Sequence, residues 1–242
     1  MKKLLITLTT FASFSTFAHA ETNGFYIGGQ LGVSVLKTNS FKNTLNYDGY
    51  ILNDNILDSM HKTKLAGSLN LGYNFFSNYD DVPVRAELSF TLRGNADKNE
   101  NRYDTYEEYH LRTTQKVKVR MNTLMLNGYY DINIDDLPIT PFIGAGLGVA
   151  FTKLENNYKE KYNVSVDGDD YELSLSKTKT KFAWNVAAGI GYKLNNNIDL
   201  DFTARYVDAG KVTIKEHNEY YRTKASGKLS SIDLLAGVRY NF

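Results

Sequence analysis

The chain has 242 residues, with 28 Lys and Arg against 27 Asp and Glu, a formal net charge of +1, and no cysteine. Near-neutrality gives no case for a nucleic-acid partner, and without thiols there is no disulfide framework, thiolate metal site or cysteine nucleophile. Three prolines against eighteen glycines and eighteen tyrosines suggest long strands, crowded with glycine on one face and tipped with aromatics.

Lys2 and Lys3 precede a stretch, 4–17, that is apolar apart from Ser and Thr, and Ala18-His19-Ala20 follows as a small-x-small cleavage site. This is the order of a secretory signal, with an apolar part too short for an ordinary membrane helix. The expected organisation is a signal peptide at 1–20 and one domain at 21–242, exported through the periplasm. Beyond it no run approaches the roughly 20 apolar residues of a membrane helix. Hydropathy is a poor guide here, because a transmembrane barrel presents lipid with only every second residue.

The dominant period is two, and it recurs eight times. Residues 24–36 set Phe25, Ile27, Leu31, Val33 and Val35 against Tyr26, Gly28, Gln30, Gly32 and Ser34. Next, Leu65, Leu69, Leu71 and Tyr73 oppose Ala66, Ser68, Asn70 and Asn74. The third segment alternates Val84, Ala86, Leu88, Phe90 and Leu92 with Arg85, Glu87, Ser89, Thr91 and Arg93. A strand separates such a pattern into faces and a helix cannot. In the fourth, 116–131, Leu124, Leu126 and Tyr130 give one phase and Val117, Val119 and Met121 the opposite one. Two explanations stand open: a β-bulge near Asn122, or an upper half that clears the bilayer.

The fifth segment places Ile143, Ala145, Leu147, Val149 and Phe151 opposite Gly144, Gly146, Gly148 and Ala150; the sixth places Phe182, Trp184, Val186, Ala188, Ile190 and Tyr192 opposite Asn185, Ala187, Gly189 and Gly191. The seventh sets Ile198, Leu200, Phe202, Ala204 and Tyr206 against Asp199, Asp201, Thr203 and Arg205. The eighth sets Ile232, Leu234, Ala236, Val238, Tyr240 and Phe242 against Asp233, Gly237, Arg239 and Asn241. Connections at 76–83, near Asp135-Asp136-Leu137-Pro138 and at Asn195-Asn196-Asn197 are short; those at 37–62, 94–115, 153–177 and 208–226 are long. That asymmetry and an even strand number fit an outer-membrane barrel without an edge. About 28 residues per strand and connection are available, against roughly 9–11 for a tilted membrane strand.

The apolar face points to lipid rather than to an interior. The opposite face is rich in Gly and Ala, which suits a narrow lumen, and carries Arg85, Glu87, Asp201, Arg205, Asp233 and Arg239 in mid-strand. Tyrosines near strand ends suit the membrane–water interface. The expected fold is therefore all-β: a transmembrane eight-stranded antiparallel up-and-down β-barrel with four long extracellular loops.

The first strand, NGFYIGGQLGVS, and the last, LLAGVRYNF, resemble those of the opacity-protein and outer-membrane-protein-A-type β-barrel superfamily. In that superfamily a terminal aromatic with alternating apolar residues is the signal read by the outer-membrane insertion machinery. The resemblance implies this role for Val238, Tyr240 and Phe242. It implies architecture strongly and activity hardly at all, and no peptidoglycan-binding domain accompanies the barrel.

Three candidate sites follow. The inward charges, three of each sign, must be paired in a lumen just wide enough to be filled by side chains; they form either a salt-bridged plug or a transient ion path. The long connections carry Tyr47, Tyr50, Tyr103, Tyr106, Tyr109, Tyr158, Tyr162, Tyr171, Tyr220 and Tyr221. Tyrosine gives large contact area at small entropic cost, so Tyr103, Tyr106, Tyr109, Tyr158, Tyr162, Tyr220 and Tyr221 are recognition candidates. Alternatively, the strands continue beyond the bilayer as a twisted sheet in which tyrosine is a β-former; KVKVR at 116–120 and TKTK at 178–181 support that. Enzyme chemistry has only His61, His110 and His217 in the mature chain, none on a strand face shared with a serine, and their spacing offers no metal site. Asp167-Gly168-Asp169-Asp170 reads as a turn rather than a calcium loop.

The resulting expectation is a bacterial outer-membrane surface protein without catalytic, metal or cofactor sites. Its barrel would display loops for adhesion, recognition or envelope integrity. A small porin-like channel is the competing class and a lipid A-modifying enzyme the third. Its partners would be outer-membrane lipid and lipopolysaccharide, the insertion machinery, and host or cell-surface ligands at the loops.

Overall fold

A computed structural model describes residues 24–38, 41–47, 50–57, 59–75, 82–105, 110–134, 137–162, 171–217 and 221–242. The expected signal peptide at 1–20, Tyr106, Tyr109, Tyr220 and the 167–170 turn lie outside them. The described residues form eleven strands: β1 (Phe25–Thr38), β2 (Phe41–Tyr47), β3 (Tyr50–Leu57), β4 (Met60–Asn74), β5 (Val84–Arg93), β6 (Ala96–Thr105), β7 (His110–Asp131), β8 (Ile139–Tyr162), β9 (Tyr171–Lys193), β10 (Ile198–His217) and β11 (Tyr221–Asn241).

Eight of them, in the order β1-β4-β5-β7-β8-β9-β10-β11, pair with their neighbours, and β1 also pairs with β11, which closes the ring. All pairings are antiparallel, as short turns on one side require. Phe242 N–H donates to Phe25 O across the closing seam (3.1 Å). The short turn between β9 and β10 is an Asx turn in which Asn195 Oδ1 accepts from the backbone N–H groups of Asn197 and Ile198 (both 2.9 Å).

The side-chain alternation sorts as the sequence predicts. Leu31, Leu65, Leu69, Leu126, Leu147 and Phe182 are exposed on the outer wall, each more than half accessible, while Tyr26, Ser34, Ser89, Thr91, Thr123 and Asn185 are buried inside. Exposed apolar side chains all round one wall are unstable in water and at home in lipid. Phe25 and Tyr73 (ring centroids 4.9 Å apart) and Tyr240 and Phe242 (5.2 Å) mark its short-turn rim, and Trp184 with Tyr206 (5.7 Å) marks the opposite one.

The strands are far longer than the membrane needs. β8 has 24 residues, roughly 80 Å at about 3.4 Å per residue, against an apolar band about 25 Å tall. The excess lies on the long-connection side, where the expected loops are largely hairpins. β6 pairs with the upper half of β7, β7–β8 and β8–β9 run on together to Tyr162 and Tyr171, and the β2–β3 hairpin adds to β11. Above the band stand two sheets, β6–β7–β8–β9 and β10–β11–β2–β3.

The phase change in β7 resolves as the second of its two explanations. The β7–β8 register runs without a shift from Leu111 to Asp131, so there is no bulge at Asn122. Val117, Val119, Met121 and Met125 all point inward and are buried, in one cluster with Leu36, Ala96, Ala150, Ala183, Val207, Ala209 and Leu229. Outside at that height stand Lys118 and Arg120 instead of leucine. The wall changes from apolar-out to polar-out as it leaves the lipid.

Candidate functional site

The lumen is a filled column of polar side chains, and small residues make room for it. A Cβ on Gly72 would collide with the Tyr26 ring, one on Gly144 with Tyr129 and one on Gly189 with Phe142. Near the short turns, Arg85 forms a two-point ion pair with Asp131, Nε to Oδ2 at 2.6 Å and Nη2 to Oδ1 at 2.9 Å. Its guanidinium lies 5.0 Å from the ring centres of both Tyr129 and Phe142, a cation–π arrangement that offsets desolvation. Glu87 is not held by an arginine; it accepts from Tyr26 Oη (3.1 Å) and Tyr129 Oη (3.3 Å). Arg239 reaches Asp199 (2.9 Å) and Asp201 (3.4 Å).

Higher in the lumen, Asp233 is fully buried and organises a second cluster. Arg93 Nη2 donates to its Oδ2 (2.6 Å) and Arg93 Nε to its Oδ1 (3.1 Å), while Ser34 Oγ adds a third bond (2.6 Å). Arg205 Nε lies 3.5 Å from Asp233 Oδ2 and its Nη2 donates to Thr91 (2.9 Å). Arg93 also donates to Met121 O and Thr123 Oγ1 (both 3.1 Å). Met121, whose carbonyl accepts from Arg93, and Met125, opposite Ser89, line the same wall and join the apolar cluster that continues upward through Val119 and Val117, so apolar side chains close the upper end of the charged column.

The set is therefore larger than three charges of each sign. Arg93, Asp131 and Asp199 belong to it and were not among the candidates, although all three share the inward parity. What the parity could not supply was the partner, because pairing across the lumen depends on the register of the whole ring. Val238 and Tyr240 face outward and half-exposed, and Phe242 follows them at the seam.

Of the recognition tyrosines, Tyr103, Tyr158, Tyr162 and Tyr221 stand on strands. Tyr103 pairs with Arg112 on β7, Tyr158 with Gln115 and Leu173, and Tyr162 with Leu111. Tyr221 stands in one row with Tyr47 and Tyr50 across β11–β2–β3. His61 is exposed on β4, and among the described residues no group of three or more His, Cys, Asp or Glu could hold a metal ion.

A closed eight-stranded ring with an apolar belt, two aromatic rims, a charge-paired interior and strands rising on one side defines an outer-membrane surface barrel. The chain belongs to the outer membrane protein β-barrel domain family, whose model matches residues 4–242. It is 33% identical over 234 residues to the outer membrane protein PagN of Salmonella typhimurium, covering 95% of this chain and 94% of that one. An uncharacterised protein of Haemophilus influenzae is 21% identical along the full length of both chains. The fold is similar to that of Neisserial surface protein A, with a TM-score of 0.50 at 19% identity, over 90% of this chain and 97% of that one. The protein is a bacterial outer-membrane barrel that displays extracellular hairpins.

Proposed function

We propose that the extramembrane sheets are the working surface, that they recognise molecules of a host or neighbouring cell, and that the barrel beneath is a sealed, non-catalytic anchor. The observation that carries this is the length of the paired strands beyond the apolar band. Recognition needs a surface whose ordering cost is already met, and hydrogen-bonded hairpins meet it where mobile loops would not. The register sets Tyr47, Tyr50 and Tyr221 in one row, and Tyr158 and Tyr162 at one shared parity on the other sheet, with Tyr103 at the opposite parity, which supports tyrosine-rich extramembrane sheets. The apolar cap over the charged column speaks against the porin-like reading. Val238, Tyr240 and Phe242 serve delivery to the membrane through the insertion machinery, after removal of the signal peptide.

The test is capture of surface molecules from host-cell membranes by the refolded full barrel and by a version whose β2–β3 and β10–β11 hairpins are shortened above the belt. Capture by the full barrel alone is expected. Equal capture by both forms would place recognition elsewhere.

A further inference from the structure

The outward face of the β7–β8–β9 sheet, just above the lipid belt, carries a row of side chains that neither the anchor nor the recognition surface uses. Register sets Arg120 directly opposite Lys153, and Lys153 opposite Thr178. All three are exposed. The next row towards the membrane is Asn122, Phe151 and Thr180, and the one below is Leu124, Val149 and Phe182, where the belt begins. One row is roughly 7 Å along a strand, so the basic row stands roughly 14 Å along the strand, about 10 Å in height at a tilt of about 45°, above the row where the belt begins, and the long Arg and Lys stems reach down from there to the headgroups.

Like charges placed directly opposite in an antiparallel pair repel and destabilise it. One row higher the same two strands avoid this by setting Lys118 opposite Glu155. The local acids do not neutralise the Arg120–Lys153 row. Glu155 lies 2.7 Å from Lys153 and 3.7 Å from Lys118, and the Lys153 hydrogen bond keeps its pKa below the ordinary glutamate value. One carboxylate thus serves two lysines. Asp97, on β6, is taken by Lys64 (2.9 Å). Arg120 Nε donates to the neutral amide of Asn95 (2.6 Å). A surplus of positive charge faces outward at headgroup height, with exposed hydroxyls beside it and aliphatic wall beneath.

We propose that Arg120, Lys153 and Thr178 seat the phosphate of an outer-leaflet lipid, whose acyl chains lie along Leu124, Val149 and Phe182. A phosphate between Arg120 and Lys153 converts their repulsion into charge-assisted hydrogen bonds. The bound lipid thereby ties the extramembrane sheet to the membrane surface and fixes how far it stands out.

The full barrel, in zwitterionic detergent, is titrated with lipid A carrying its phosphates, with chemically dephosphorylated lipid A, and with inorganic phosphate alone. Retention is read by native mass spectrometry, and folding of each variant by heat-dependent gel mobility. Preferential retention of the phosphorylated lipid is expected. The Arg120→Gln/Lys153→Gln pair should lose it by about thirtyfold, from about one kcal/mol per basic residue, while Lys193→Gln near the opposite rim keeps it. Glu155→Gln, which adds net positive charge, should tighten retention, and this arm holds even if the double variant fails to fold. Equal retention of dephosphorylated lipid, wild-type retention by the folded double variant, or no tightening by Glu155→Gln overturns the proposal. An equal response to inorganic phosphate alone also overturns it, reducing the site to one for a free anion.

Discussion

Asp233 and Glu87 are both buried carboxylates in the same lumen, yet they are held differently. Asp233 accepts from Arg93 and Ser34 and lies beside Arg205; Glu87 accepts from two phenols. Asp233→Asn should strand two guanidiniums, a change of the kind that costs about 3–5 kcal/mol. Glu87→Gln keeps an acceptor for the tyrosine hydroxyls and should cost about 1–2 kcal/mol. Urea unfolding of the barrel in lipid vesicles measures both, and an equal loss would contradict the assignment of Asp233 as the organising charge. Arg205→Ala should be milder than Arg93→Ala, because Arg93 makes the two-point contact. The inward parity of all these residues was legible in the sequence, because alternation alone decides it. Which charge meets which was not: Arg93 and Asp233 are 140 positions apart and meet only across a closed ring.

Among the strands, the belt segments were legible because lipid outside and polar groups inside reinforce each other at period two. Their upward continuations were half legible, since KVKVR and TKTK pointed to them as one of two readings, and the reason no choice could be made lies in β7. Val117, Val119 and Met121 keep the same period with reversed polarity, which without knowledge of the membrane boundary reads as broken alternation. A true irregularity among the barrel strands lies in β10, where the pairing with β11 shifts between Asp208 and Lys211. Gly210 there has φ of 66° and donates its N–H to Asp208 Oδ1 (2.7 Å), while Lys228 lies 2.9 Å from Asp208 Oδ2. Nothing stands within 4 Å of a Cβ built on Gly210, so the penalty of Gly210→Ala is conformational, about 1–2 kcal/mol. Hydrogen exchange should show faster opening of β10 above the bulge with the belt unchanged; faster exchange in the belt as well would mean that the two halves open together.

The whole molecule sets a closed, polar-cored ring in the membrane beneath an apolar cluster and two open sheets, all on one set of strands. The apolar cluster from Met121 up to Val117 closes the charged column, so the refolded protein in a planar bilayer should give no steady ohmic current. A stable open level would mean that the cap yields. The seam has a further consequence, for the order of events in the cell. β11 follows every other barrel strand in the chain, and β1 waits for it with one edge unpaired. No stretch emerging from the ribosome before β11 can shut that edge. The chain must therefore stay open and escorted until synthesis has passed its last strand, and the ring then forms in one late, cooperative event at the membrane.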